Sequence, residues 1–124
     1  MVKILVVDDD EDLLEMVTMM LRASNMQVIP LNAGALVKET LQNERPDFLL
    51  MDIFLGDSDG RQLCKELKEP DNYPQLPVFL YSAGEISSAS IVASNADFFL
   101  RKPFNMTQLV DRIHEYLKKE LKNS

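Results

Sequence analysis

The chain has 124 residues, enough for one domain and too few for two, so a single domain over residues 1–124 is expected. Hydrophobic residues make up 46% and charged residues 27%, a balance that can bury a core without help from a disulfide or a structural metal. The formal charge of -7 disfavours direct nucleic acid binding, and the single cysteine, Cys64, excludes an internal disulfide and fits a reducing cytosol.

Apolar runs are short throughout, so no membrane span is expected. Ile4–Val7 is too brief for a signal-peptide core, and acidic residues follow at once from Asp8 to Asp12. The expected location is cytoplasmic.

Ile4–Val7 is continuous, apolar and rich in branched residues, which predicts a strand covered on both faces. Leu13, Met16, Val17, Met20 and Leu21 follow at helical spacing, with Asp10 or Asp12 as the cap. Val28-Ile29 predicts a weaker strand. Ala33, Leu36, Val37 and Leu41 give a second helical stripe, which Pro46 stops. Phe48–Met51 is the next strand, and Ser58 or Asp59 caps a helix carrying Leu63 and Leu67. Prolines 70, 74 and 77 mark a loop before the strand Val78–Tyr81. Glu85–Ser94 is serine-rich, with β-branched Ile86, Ile91 and Val92, and predicts the loosest helix. Phe98–Leu100 is the last strand. Met106, Val110, Ile113, Leu117 and Leu121 mark a strong terminal helix ending near Lys119. The seven methionines are expected at scattered core positions.

Five strands alternating with five helices imply an α/β fold, a doubly wound parallel sheet with helices on both faces. In such sheets, sites form beyond the carboxyl ends of the strands. Four strings fall at that edge: Val6-Val7-Asp8-Asp9, Met51-Asp52 running to Asp59-Gly60, Tyr81-Ser82-Ala83, and Leu100-Arg101-Lys102-Pro103.

Three carboxylates, Asp8, Asp9 and Asp52, repel one another unless a cation sits among them, and Mg2+ suits a small set of oxygen ligands. Asp8–Asp12 taken alone would be a solvated helix cap; a second strand ending in Asp52 favours the cation site. An aspartate carboxylate can also accept a phosphoryl group, a transfer that needs chiefly positioning and charge neutralisation. Lys102 and the Ser82 hydroxyl stand where they could serve it, although a surface lysine and a turn serine are the plainer readings of each. A calcium loop is rejected because Leu55 occupies a position that needs an acidic residue. The phosphate-binding glycine loops are missing, and lone His114 predicts a half-exposed helix residue.

From Lys3 to about Lys119 these residues resemble the receiver domains of two-component response regulators, of the chemotaxis-regulator type. That resemblance implies a flavodoxin-like (βα)5 fold. It implies that Asp52 is the phosphoacceptor, and that Asp8, Asp9, Asp52 and the backbone carbonyl of Phe54 hold Mg2+. Ser82 corresponds to the switch hydroxyl, Phe99 to the switch aromatic and Lys102 to the lysine of the family. It implies a cis Lys102-Pro103 peptide, a small residue at Ala83 that leaves the site open, and a loop-closing Gly60. Gly56 stands where proline is usual, Phe54 and Gly84 occupy positions that tune dephosphorylation, and Phe98 replaces a frequent acidic residue.

The implied function is a signalling switch rather than an enzyme acting on other substrates. The implied partners are a sensor histidine kinase or phosphotransfer protein upstream, and a downstream protein or output domain. The switching face is formed by the fourth helix, last strand and terminal helix. Two alternatives use the same residues: a phosphorylation-independent interaction module, and a phosphohydrolase with an aspartate nucleophile. The second is disfavoured because such enzymes carry the nucleophile after the first strand.

Overall fold

A computed structural model describes residues 1–103 and 105–122. Five strands form one parallel sheet in the order β2-β1-β3-β4-β5. The strands are β1 (Lys3–Val7), β2 (Gln27–Leu31), β3 (Phe48–Asp52), β4 (Val78–Ser82) and β5 (Phe98–Arg101). The helices are α1 (Glu11–Ala23), α2 (Val37–Glu44), α3 (Gly60–Leu67), α4 (Ser88–Ser94) and α5 (Met106–Lys122).

Successive strand residues point to opposite faces, so each apolar run feeds two cores. Ile4, Val6, Phe48, Leu50, Phe79 and Tyr81 pack with α1 and α5. Leu5, Val7, Leu49, Met51, Val78 and Leu80 pack with α2 and α3, with Ile91 of α4 against that cluster. The alternation carries into the strand ends. Asp8, Asp52 and Tyr81 share the parity of the α1/α5 face, whereas Ser82 and Phe99 share that of the other.

Two expected caps resolve to single residues. Asp10 caps α1 by accepting from the Leu13 N–H, and Asp59 caps α3 by accepting from the Arg61 N–H. The α1 stripe is rotated from the sequence expectation. Leu14, Val17, Thr18 and Leu21 are buried, while Met16 and Met20 are 46% and 43% exposed. The thioether chains lie at the margin of the helix's buried face, where 3.6-residue spacing does not separate core from rim. Met1 and Met19 are also exposed, so the expectation of methionines confined to core positions is wrong.

The second helical stripe begins as a 3-10 turn, Gly34–Leu36, that leaves Leu36 exposed. The regular helix runs from Val37 to Glu44 and is capped by Arg45 in the left-handed region, one residue before Pro46. α4 spans only seven residues, in keeping with its serine-rich composition. α5 reaches Lys122, beyond the expected Lys119; the side chain of Leu121 lies outside the described residues. Cys64 is fully buried, and burial pushes its thiol up to about 11. His114 is exposed.

Candidate functional site at the carboxyl edge of the sheet

Parallel pairing aligns β1, β3 and β4, so the residues ending them meet. Val7 stands opposite Met51, and Asp52 opposite Tyr81. Asp8 is fully buried, Asp52 is 6% exposed, and Asp9, one residue along, is exposed. Their carboxylates offer oxygens that all lie within 4.8 Å of one another.

Among the described residues, one lysine reaches this cluster. The backbone N–H of Lys102 donates to the Ser82 carbonyl at 2.8 Å, and this fixes the chain as it leaves β5. The Lys102-Pro103 peptide that follows is cis. Lys102 Nζ lies 3.1 Å from Asp52 Oδ2 and 3.4 Å from Asp8 Oδ2, and 4.8 Å from the centroid of the Tyr81 ring. Tyr81 donates its hydroxyl to Asp8 Oδ2 at 2.7 Å. The Asp10 N–H donates to the other oxygen of Asp8 at 2.9 Å.

Burial is the chief influence on Asp52 and raises its pKa above the ordinary carboxylate value. The Lys102 hydrogen bond and charge oppose that rise, while the charge of Asp8 adds to it. Desolvation of the Tyr81 hydroxyl, with the negative charge of Asp8 beside it, raises its pKa far above the ordinary phenol value and keeps it a donor. Three carboxylates facing one ammonium leave the set net negative. An all-oxygen cluster of that charge fits a hard divalent cation such as Mg2+.

The loop after β3 is shaped by glycine at two positions. Gly56 has φ +81, a conformation that proline, with its fixed negative φ, could not adopt. The Gly60 N–H donates to the Ile53 carbonyl at 2.6 Å, and a Cβ on Gly60 would collide with the Asp52 carbonyl oxygen. The start of α3 therefore packs directly on the backbone of Asp52. Asp57 ties the loop to the next connection by accepting from the Gly34 and Ala35 N–H groups, both at 3.0 Å. Those two bonds hold the Asp57 carboxyl below its ordinary value.

The other sequence-derived residues sit around this cluster. Ser82 is buried at the end of β4, and its Oγ accepts from the Gly84 N–H at 3.2 Å. Phe99 stands opposite Leu80, partly buried against the α2/α3 core, with the Arg101 guanidinium 6.0 Å from its ring centroid. Phe54, two residues past Asp52, is 51% exposed and gives its N–H to Asp52 Oδ1 at 3.3 Å. Asp8, Asp9, Asp52 and Lys102 are thus brought together, with Ser82 on the neighbouring strand end and Phe99 further back on β5. Tyr81 and Asp57 join the site through contacts that their sequence context does not reveal. Tyr81 reads as strand, and only its pairing opposite Asp52 aims its hydroxyl at Asp8. Asp57 reads as one more polar loop residue.

A five-stranded parallel sheet with an acidic cluster and a lysine at its carboxyl edge defines a class that comparison with known proteins makes explicit. Residues 4–114 match the family model described as "Response regulator receiver domain". The heme response regulator HssR of Staphylococcus haemolyticus is 34% identical over 126 aligned positions, covering 100% of this chain and 55% of that protein. A putative response regulator of Chloroflexus aurantiacus is 30% identical, with a TM-score of 0.84, covering 94% of this chain and 97% of the other. A CheY-like receiver domain of Methanospirillum hungatei superposes with a TM-score of 0.91 over 100% and 99% of the two chains; at 24% identity it speaks for the fold. The chain belongs to the response regulator receiver family, the signalling switches of two-component systems. It spans about half the length of the curated relatives it matches.

Proposed function

We propose that this receiver domain accepts a phosphoryl group on Asp52 from the phosphohistidine of a sensor histidine kinase or phosphotransfer protein. The N–P bond of the donor breaks as a bond forms from an Asp52 carboxylate oxygen to phosphorus, leaving neutral histidine and an acyl phosphate. Asp8, Asp9, Asp52 and the Phe54 carbonyl would hold Mg2+, which supplies charge neutralisation when bound. Lys102 moves from its carboxylate partners to a phosphoryl oxygen. Ser82 gives up its local bond with Gly84 and donates its hydroxyl to another.

The observation that supports this reading is the Lys102 ammonium 3.1 Å from a buried Asp52 whose carboxylate faces two more. That arrangement gives the carboxylate a local counter-charge and leaves the set short of positive charge. Phosphorylation replaces the single charge of the Asp52 carboxylate with close to two on the phosphoryl oxygens, which would draw Lys102 and Ser82 inward. The space left by Ser82 lies on the face shared with Phe99, which turns inward to fill it and reshapes the surface of α4, β5 and α5. The domain is thus a switch in the cytoplasm that hands its state to a downstream protein or output domain, without touching nucleic acid itself.

The test is intact mass after incubation with Mg2+ and acetyl phosphate, for the unmodified protein and Asp52→Asn. One phosphoryl group should be gained by the unmodified protein only, and only with Mg2+ present. No gain in the unmodified protein would instead favour an interaction module that works without phosphorylation. Repeated turnover of a small phosphoester would favour the hydrolase reading.

A further inference from the structure

The Arg61 side chain, in the first turn of α3, is committed to three neighbours at once. It grips Asp59 as a fork, Nε to Oδ1 at 3.0 Å and Nη2 to Oδ2 at 2.7 Å. Its Nη1 donates to Ser90 Oγ on α4 at 3.3 Å. Its guanidinium carbon lies 5.5 Å from the centroid of the Phe54 ring.

Phe54 is the half-exposed residue two places after Asp52, and its ring reaches across to the loop after β4. A Cβ built on Gly84 would sit 3.4 Å from Phe54 Cε2 and 3.9 Å from Ser82 Oγ. The ring therefore spans the mouth of the Asp52 site, from the β3–α3 loop to the residue that bonds Ser82. An exposed aromatic ring gains little from solvent, and without a partner it would rotate freely. The Arg61 face supplies that partner. The Asp59 fork in turn leaves the guanidinium plane little freedom.

We propose that Arg61 is a positioning residue: it holds Phe54 across the mouth of the Asp52 site and links that ring to α4, and so sets how long a phosphoryl group on Asp52 survives. The inference rests on the receiver chemistry proposed above. Water must reach phosphorus past the Phe54 ring, so a fixed ring slows hydrolysis. Because Ser90 shares the same guanidinium, a shift of α4 changes the hold on the ring.

Two measurements test this. In the unphosphorylated protein, NMR contacts between the Phe54 ring and the Gly84 Hα protons should be present, and should be lost in Arg61→Gln. In protein phosphorylated with acetyl phosphate and then freed of donor, Arg61→Gln should shorten the phosphoryl lifetime about two- to fivefold, the scale of one exposed cation–ring contact. Phe54→Ala should shorten it as well, and the double variant should match Phe54→Ala alone. Arg61→Lys, which keeps the cation but not the fork, should fall between Arg61→Gln and the unmodified protein. A lifetime effect of Arg61→Gln that is undiminished in the Phe54→Ala background would overturn the clamp. So would an unmoved lifetime in protein that phosphorylates normally, and in that case the receiver chemistry stands. If the unmodified protein takes no phosphoryl group, the receiver chemistry falls and this inference falls with it.

Discussion

The Tyr81 hydroxyl donates to Asp8 Oδ2 at 2.7 Å, joining β4 to β1 across the intervening β3. Asp8 is fully buried, so each bond to it replaces a lost water. Tyr81 thus supports the acidic site from beneath, with its ring under the Lys102 ammonium.

Tyr81→Phe keeps the ring and removes that donor. Hydrogen bonds to charged groups contribute about 1.5–3 kcal/mol, and a loss in that range is expected. Urea unfolding should show a lower midpoint at unchanged slope. An unchanged midpoint would mean that the Asp10 N–H and Lys102 satisfy Asp8 by themselves.

Mg2+ should stabilise the folded chain, because an unfolded chain cannot gather three carboxylates of which Asp8 and Asp52 stand 44 positions apart. At about a hundred times its Kd, a ligand selective for the folded state adds about 2.7 kcal/mol. Thermal melts with and without Mg2+ should therefore separate for the unmodified protein and coincide for Asp9→Asn with Asp52→Asn. Equal shifts in both would place the ion elsewhere.

Asp57 gives the site a pH dependence of definite sign. Its folded carboxyl is held below the ordinary value, first by the Ala35 N–H and then by the Gly34 N–H. A depressed pKa means that the unfolded chain takes up protons first as pH falls. Its contribution is therefore present above the ordinary value of 3.8 and lost as pH falls through the lower folded value. Asp57→Asn should be less stable than the unmodified protein at neutral pH, and the two unfolding curves should converge in acid. A gap that is constant with pH would show that the interaction does not depend on charge.

At the other end of the strands, Asp97 accepts from Lys68 Nζ, from the Val78 N–H and from the Tyr116 hydroxyl, each at 2.7 Å. From just before β5, this carboxylate joins the residue that caps the end of α3 to β4 and α5. The pair is mostly buried, with side-chain exposures of 9% for Lys68 and 19% for Asp97. Breaking a buried pair costs about 3–5 kcal/mol. Lys68→Met should fall near the lower figure, since Asp97 keeps two donors. Chemical denaturation of this variant and of the Lys68→Met, Asp97→Asn double variant measures it, and the double variant should recover part of the loss.

Local pattern carried much of this protein. Short, continuous apolar runs such as Ile4–Val7 and Phe48–Met51 read as strands buried on both faces, and their alternation with helical stripes implies a parallel sheet. That in turn places Asp8, Asp52, Ser82 and Lys102 at one edge. The rotation of α1 was not legible, because methionine suits core and rim alike. Nor was the 3-10 entry to α2, where Asp57, more than twenty residues downstream, takes the Gly34 and Ala35 N–H groups.

What only tertiary structure decided are the contacts whose partners are distant in sequence and ordinary by type. Tyr81 reads as a strand residue until parallel pairing turns its hydroxyl onto Asp8, 73 positions away. Arg61 reads as a solvated helix residue until the loops after β3 and β4 close around it and bring Phe54 and Ser90 within reach. Sequence periodicity reports which face a side chain takes. Which group meets it there depends on strand order, register and the path of the loops.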